Sequence, residues 1–187
     1  ALVEMLVLSP QIPMFFQGDD HLSGRPFRFF ADYEGDLRDA YRAHREVDAR
    51  NFGGLTEEMP PPEIVDPCDP AAFEPCKLDW SEAERREGVE WRGCLRRLLG
   101  VRRDRIVPLI GPAMRCGESL PAPDGCIFVD WRTARGKLKL RANLSAVEVE
   151  LEPDPDLASE IYPASDAGPG DRLSPFSVRV YETAPPD

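Results

Sequence analysis

The sequence predicts a chain of mixed class, α/β over residues 1–105 and then a small antiparallel β-sandwich over 106–187. Three observations carry this. Met14-Phe15-Phe16 is a short continuous apolar run stopped by Gly18, the pattern of a strand buried on both faces in a parallel sheet. Two amphipathic helical stretches follow it. From about Ile106 onward the pattern changes to short alternating runs separated by turn residues, which is how a small antiparallel sheet reads.

Each element has its own local reason. Ala1 to Leu8 is apolar, and its length fits a helix tail or a strand equally well. Arg25 to Tyr33 is rich in phenylalanine, which suits either a core closing over the preceding strand or a platform for sugar rings. Leu37, Ala40, Tyr41, His44 and Val47 form one helical stripe that Gly53-Gly54 would stop, and His44 on it reads as a packed residue. Thr56 to Pro75 reads as an acidic, proline-rich loop. Ser81-Glu82-Ala83-Glu84 has the form of a capping box, with Trp80 packing at the helix entry. The helix it opens carries Trp91, Cys94, Leu95, Leu98 and Leu99 on one face and tolerates Gly88 and Gly93. Arg102-Arg103 closes it, where cations favour the helix dipole. The strands are Cys126–Trp131, Lys137–Asn143, Val147–Leu151 and Ser177–Tyr181, with turns at Asp124-Gly125 and Arg135-Gly136.

Composition excludes several function classes. Among 187 residues, 23 basic against 34 acidic side chains give a net charge of −11, so a nucleic-acid partner is not expected. The pairs Arg85-Arg86, Arg96-Arg97 and Arg102-Arg103 read as solvated helix faces. The apolar start has no basic n-region, is broken by Glu4 and Pro10, and is too short to span a bilayer, so no membrane partner is expected. It opens inside an apolar element without methionine, which predicts a truncated start. Cys68, Cys76, Cys94, Cys116 and Cys126 form no C-x-x-C pair and only two histidines accompany them, so no metal site is expected. Reduced thiols and a cytoplasmic setting are the expectation, with a local Cys68–Cys76 disulfide as the alternative.

Six stretches carry a family resemblance. Leu8 to Asp20, a Pro-x-x-Pro-apolar run ending in Gly18-Asp19-Asp20, resembles the last barrel strand of the α-amylase superfamily, glycoside hydrolase family 13. Asp69-Pro70 with Phe73, followed by Lys77-Leu78-Asp79-Trp80, resembles a stretch of its maltooligosyltrehalose trehalohydrolases and, second, its glycogen branching enzymes. The aromatic segment Arg25 to Tyr33 resembles a trehalohydrolase signature. His44-Arg45 and Phe52 match a basic pair and an aromatic of the same region. Further on, Ala142-Asn143-Leu144-Ser145 and Pro175-Phe176-Ser177 resemble the superfamily's C-terminal all-β domain.

The resemblance implies that residues 1–105 are the C-terminal end of a (β/α)8 catalytic barrel, its last strand and last helix, and that 106–187 are the all-β domain. Ala1–Leu8 would then be the helix before the last strand. Ligands bind where barrel strands end, which makes Phe15, Gln17, Asp19, Asp20 and His21 the candidate substrate-binding residues. Relatives carry Glu-Glu-Trp where this chain has Asp19-Asp20-His21, a shorter and less aromatic set. The implied activity is hydrolysis of the α-1,4-glucosidic bond beside the trehalose unit of maltooligosyltrehalose, releasing trehalose without metal or organic cofactor. Its acids belong to earlier strands whose motifs this chain lacks, so no catalytic residue is assigned and the chain is not expected to act alone. A maltooligosaccharide-type substrate would be met through the missing barrel. The alternatives are the C-terminal part of a branching enzyme or other superfamily member, and a standalone β-sandwich module that binds glucan or protein.

Overall fold

A computed structural model describes residues 1–52, 65–152, 157–162 and 172–183. The chain falls into two compact units, Ala1–Phe15 with Arg92–Asp187, and Phe16–Trp91.

The first unit is built on an antiparallel sheet. Its strands are β1 (Glu118–Leu120), β2 (Cys126–Thr133), β3 (Gly136–Asn143), β5 (Leu157–Tyr162) and β7 (Ser177–Thr183), in the order β1-β2-β3-β7-β5. A separate two-stranded ladder joins β4 (Val149–Glu150) to β6 (Arg172–Leu173). The β2–β3 hairpin closes at Thr133 and Gly136, and Gly136 has φ +125°. That left-handed backbone is why glycine stands at the turn.

One face of the five-stranded sheet is apolar. Trp131, Leu138, Leu140, Ala142, Val178 and Val180 are buried there together with Val7, Leu8, Leu95, Leu98, Ile106 and Leu109. Val7 and Leu8 come from helix α1 (Leu2–Leu8), and Leu95 and Leu98 from helix α4 (Arg86–Val101). The sheet is therefore covered by helices, whereas the sequence predicts a partner sheet. The helical stripe of α4 supplies the apolar area that a second sheet would otherwise provide. The N-terminal run is a helix, one of the two forms its length allows.

The other face is buried as well. Lys139, Arg141 and Arg179 are all below 10% exposed. Arg141 lies directly across from Arg179, a pairing that would repel by itself. Acids offset it: Asp130 meets Arg141 at 2.8 Å and Glu160 meets Arg179 at 3.4 Å. The Arg141 guanidinium also lies 5.3 Å from the centre of the Phe128 ring.

Arg102 departs most from its reading as a solvated helix end. It begins a π-helical turn, Arg102–Ile106, that continues α4. Its guanidinium is buried and donates to the carbonyls of Val7 at 2.8 Å, Ser9 at 2.5 Å and Gln11 at 2.7 Å. The Val7 and Ser9 carbonyls belong to the C-terminus of α1, which leaves them without intrahelical partners, the Gln11 carbonyl lies just beyond it, and the cation complements the helix dipole. Burial lowers the guanidinium pKa from its ordinary value, but an arginine stays charged.

In the second unit, helix α2 (Gly35–Phe52) forms where its stripe predicts. Its Gly53-Gly54 stop lies outside the described residues. The later part of the predicted loop is ordered. Asp69 caps helix α3 (Pro70–Phe73) by accepting from the Ala71 N–H at 2.8 Å, and a 3₁₀ turn, Glu74–Cys76, follows. Cys68 and Cys76 are free thiols.

Three further expectations are corrected. The Met14–Phe16 segment forms no strand, and Ile12, Met14 and Phe16 are 92%, 84% and 52% exposed. A strand exists only by pairing, and every ladder among the described residues is antiparallel and lies elsewhere. Ser81 is not the N-cap either. Asp79 takes that position in front of a 3₁₀ helix, Trp80–Glu84, and accepts from both the N–H and the hydroxyl of Ser81. Trp80, expected to pack at the helix entry, is 69% exposed.

The Arg102 clamp yields a first prediction. Arg102→Met leaves three carbonyls without their donor and is expected to cost about 2–4 kcal/mol in urea unfolding. Arg102→Lys, a point charge in place of a fork, should recover only part of that. Full stability in Arg102→Met would contradict the clamp.

Candidate functional site

Four of the five candidate residues, Gln17, Asp19, Asp20 and His21, lie on one turn, Phe16 to Ser23. Its shape follows from Gly18. The Gly18 φ is +87°, and a Cβ built there would stand 2.6 Å from Cβ of Ser23, so only glycine fits. The Gly18 carbonyl accepts from the N–H groups of His21 and Ser23, and the Asp19 N–H donates to the Phe16 carbonyl. The Asp19 carboxylate closes the turn by accepting from the Phe16 N–H at 2.7 Å.

Residues distant in sequence hold the turn in place. The Trp91 indole N–H donates to the Asp19 carbonyl at 2.7 Å. The Ser23 hydroxyl donates to Glu82 Oε2, also at 2.7 Å. Neither contact had a signal in the sequence, where Trp91 reads only as one residue of an apolar stripe. Gly88 is a third such residue. A Cβ there would meet the Glu82 carbonyl at 2.5 Å and the His21 carbonyl at 3.2 Å. The sequence treats this glycine as merely tolerated; the packing requires it.

Asp20 and His21 form the chemical centre of the turn. The His21 side chain is fully buried, and its Nδ1 lies 2.9 Å from Asp20 Oδ1. The Asp20 side chain remains 58% exposed. With Nδ1 engaged by Asp20, Nε2 is the remaining ring nitrogen, and that buried atom has no hydrogen-bond partner among the described residues. The exposed Trp80 ring lies 5.8 Å from the imidazole. The arrangement can present one oriented carboxylate beside an indole. It cannot supply a second carboxylate in acid–base partnership, because Asp19 is turned back on its own backbone.

The five candidates thus divide. Asp19 and Asp20 share the turn, one closing it and one facing outward, and His21 lies beneath Asp20. Gln17 is exposed on the same turn. Phe15 belongs to the first unit, where it is half-buried against the core. Among the described residues no three His, Cys, Asp or Glu side chains gather in a metal-binding group, and no helix is long and apolar enough to cross a membrane.

Two carboxylates that brace this unit have depressed pKa values. The Ser81 hydroxyl and N–H hold Asp79 below its usual value, helped by Arg25 and Arg85. The Cys68 N–H and then Arg38 do the same for Asp66. A carboxylate depressed in the fold contributes stability above its unfolded pKa, near 4, and loses it as pH falls through the folded value.

Residues 115–180 match a family described as a domain of unknown function, DUF3459. The chain is 27% identical over 190 residues to the malto-oligosyltrehalose trehalohydrolase of Brevibacterium helvolum, covering 98% of this chain and 30% of that protein. It is 33% identical over 98 residues to the enzyme of the same name from Deinococcus radiodurans, covering 52% and 16%. The chain therefore spans less than a third of these curated relatives. Among solved structures, an alpha-amylase-type protein from Salmonella typhimurium superposes with TM-score 0.80 at 33% identity, covering 97% of this chain and 30% of the other. A trehalulose synthase, MutB, superposes at 0.53 with 14% identity, a likeness of fold alone.

Two predictions follow from this packing. Gly88→Ala should lose about 1–3 kcal/mol through the clash with two carbonyls. Gly93→Ala meets only the Arg97 guanidinium at 3.7 Å, so it should gain roughly 0.5–1 kcal/mol from helix propensity. Thermal melts of the two variants test the opposite signs. For Asp79→Asn, the deficit against wild type should be present at pH 7 and shrink towards pH 3; a deficit independent of pH would contradict the depressed carboxylate. By sequence and by fold, the chain resembles the C-terminal part of the malto-oligosyltrehalose trehalohydrolases of glycoside hydrolase family 13.

Proposed function

We propose that this chain is the C-terminal part of a glycosidase that hydrolyses the α-1,4-glucosidic bond beside the trehalose unit of malto-oligosyltrehalose and releases trehalose. The observation that supports this reading most is the Brevibacterium relative, whose match covers 98% of this chain rather than the β domain alone. On this reading residues 1–105 complete a catalytic barrel and 106–187 form the all-β domain beside it. The exposed side chains of Ile12, Met14 and Phe16 are then strand residues that pair only when the upstream barrel strands are present.

The chemistry places limits on the roles of these residues. Retaining glycosidases use a nucleophile and a general acid about 5 Å apart, and both belong to upstream strands. Asp20, oriented by His21, would accept a hydrogen bond from a sugar hydroxyl at the edge of the cleft. Gln17 and the Asp19 turn would border the same edge. His21, being buried, is a positioning residue that acts through Asp20. The free thiols fit a cytoplasmic setting.

Product analysis tests the proposal. The full polypeptide carrying this chain should release trehalose from trehalose-capped maltooligosaccharide and leave the uncapped sugar largely intact. The 187-residue chain alone should release none. New branch points, or no trehalose from the full polypeptide, would overturn the reading. Asp20→Asn in that polypeptide should lower kcat/KM about tenfold, the worth of one hydrogen bond to a charged group.

A further inference from the structure

The turn from Phe16 to Ser23 carries a backbone strain that its own packing does not repay. Leu22 has φ +57°, a left-handed conformation that is costly for a bulky side chain. That side chain is 54% exposed, so its burial does not offset the cost. Gly18, earlier in the same turn, is also left-handed. Such a turn persists only where its surroundings over-determine it, and strain of this kind gathers at functional sites. Trp91 and Glu82 supply restraint from outside the turn. We propose that these two are positioning residues for the reaction, acting through the carboxylate of Asp20. The inference rests on the function proposed above, in which Asp20 accepts a hydrogen bond from a sugar hydroxyl.

Each residue grips the turn at a different point. The Trp91 indole N–H donates to the Asp19 carbonyl at 2.7 Å. That carbonyl belongs to the planar peptide joining Asp19 to Asp20. Holding it fixes the plane from which the Asp20 side chain departs. On the other side, the Ser23 hydroxyl donates to Glu82 Oε2 at 2.7 Å, and the Ser23 N–H donates to the Gly18 carbonyl at 3.0 Å. The Glu82 side chain is largely buried, which shields this contact from water.

Asp20 therefore stands between anchors at Asp19 and Ser23. The His21 ring provides a third, with Nδ1 2.9 Å from Asp20 Oδ1. These contacts orient the carboxylate while leaving more than half of its side chain open to a ligand. An acceptor held in place before binding loses little freedom when a hydroxyl arrives. Trp91 and Glu82 touch the turn, and Asp20 alone of the three is placed to meet the sugar. Whatever they contribute to turnover passes through Asp20, so it cannot exceed the loss caused by Asp20→Ala.

The test is a double-mutant cycle in the full polypeptide, read as kcat/KM on trehalose-capped maltooligosaccharide well below each variant's melting temperature. Trp91→Phe keeps an aromatic ring without the N–H, and Glu82→Leu removes the acceptor for Ser23. Each should lower kcat/KM about threefold or more in the wild-type background. In the Asp20→Ala background neither should lower it further, because the group they orient is gone. Glu82→Gln keeps an acceptor oxygen and should stay near wild type. A residue that only stabilises the fold would cause the same fold-loss in both backgrounds, and that additive result would overturn the proposal. Unchanged kcat/KM in both single variants would overturn it as well. Trehalose release with additive losses would remove the positioning role and leave the trehalohydrolase reading standing. Turnover of plain maltooligosaccharide instead, with a non-additive cycle on that activity, would do the reverse. No glucan turnover by the wild-type polypeptide would overturn both.

Discussion

The first unit depends on one buried cation. Arg102 donates to the carbonyls of Val7, Ser9 and Gln11 and so joins two segments more than ninety residues apart in sequence. Three carbonyls left unpaired in an apolar setting would each carry a desolvation cost. With the guanidinium present, the end of α1 can lie in the same core as α4 and the sheet. Val7 and Leu8 can then be fully buried, and Ile106, four residues beyond Arg102, is buried in the same cluster. The Tyr162 hydroxyl donates to Glu4 at 2.9 Å, a second link from α1 to the sheet. Burial and the Glu4 carboxylate both push that phenol well above its ordinary pKa.

The second unit is organised around a glycine turn instead of a buried charge. Gly18 makes the turn possible, Asp19 closes it, and Trp91, Glu82 and Gly88 hold it from outside. One carboxylate, Asp20, is left facing outward over a buried imidazole. This arrangement suits binding and orientation rather than bond cleavage. A glycosidase needs two carboxylates in partnership, and the Asp19–Asp20 pair does not provide one despite its adjacency.

Elements with a strong local period were legible. The α4 stripe, the α2 stripe and strands β2, β3 and β7 follow from apolar spacing together with turn residues such as Gly125 and Gly136. β1, β5 and β6 were not legible. β1 and β6 are only three and two residues long, and β5 pairs with β7 through register shifts that break its alternation. Arg102 was misread because a helix-end arginine looks the same whether it meets water or a distant helix terminus. Gly88 was misread because propensity concerns only the helix, while the constraint comes from carbonyls of Glu82 and His21. Asp79 and Ser81 both fit a cap. The hydrogen bonds from Ser81 to Asp79 decide between them, and sequence spacing does not. At the candidate turn, Gly18 and the two aspartates were legible, but the burial of His21 and the recoil of Asp19 depend on tertiary packing.

The central claim is that these 187 residues serve as the C-terminal part of a larger glucan-acting enzyme. The most direct test is the denatured mass, in the cells that make it, of the polypeptide carrying this sequence. The matched segment is 30% of the Brevibacterium relative, so the account predicts a mass roughly three times that of the chain, room for a barrel of about 250 residues. A mass equal to the chain's own would contradict it, because the carboxylates required for hydrolysis would then have no place in the molecule.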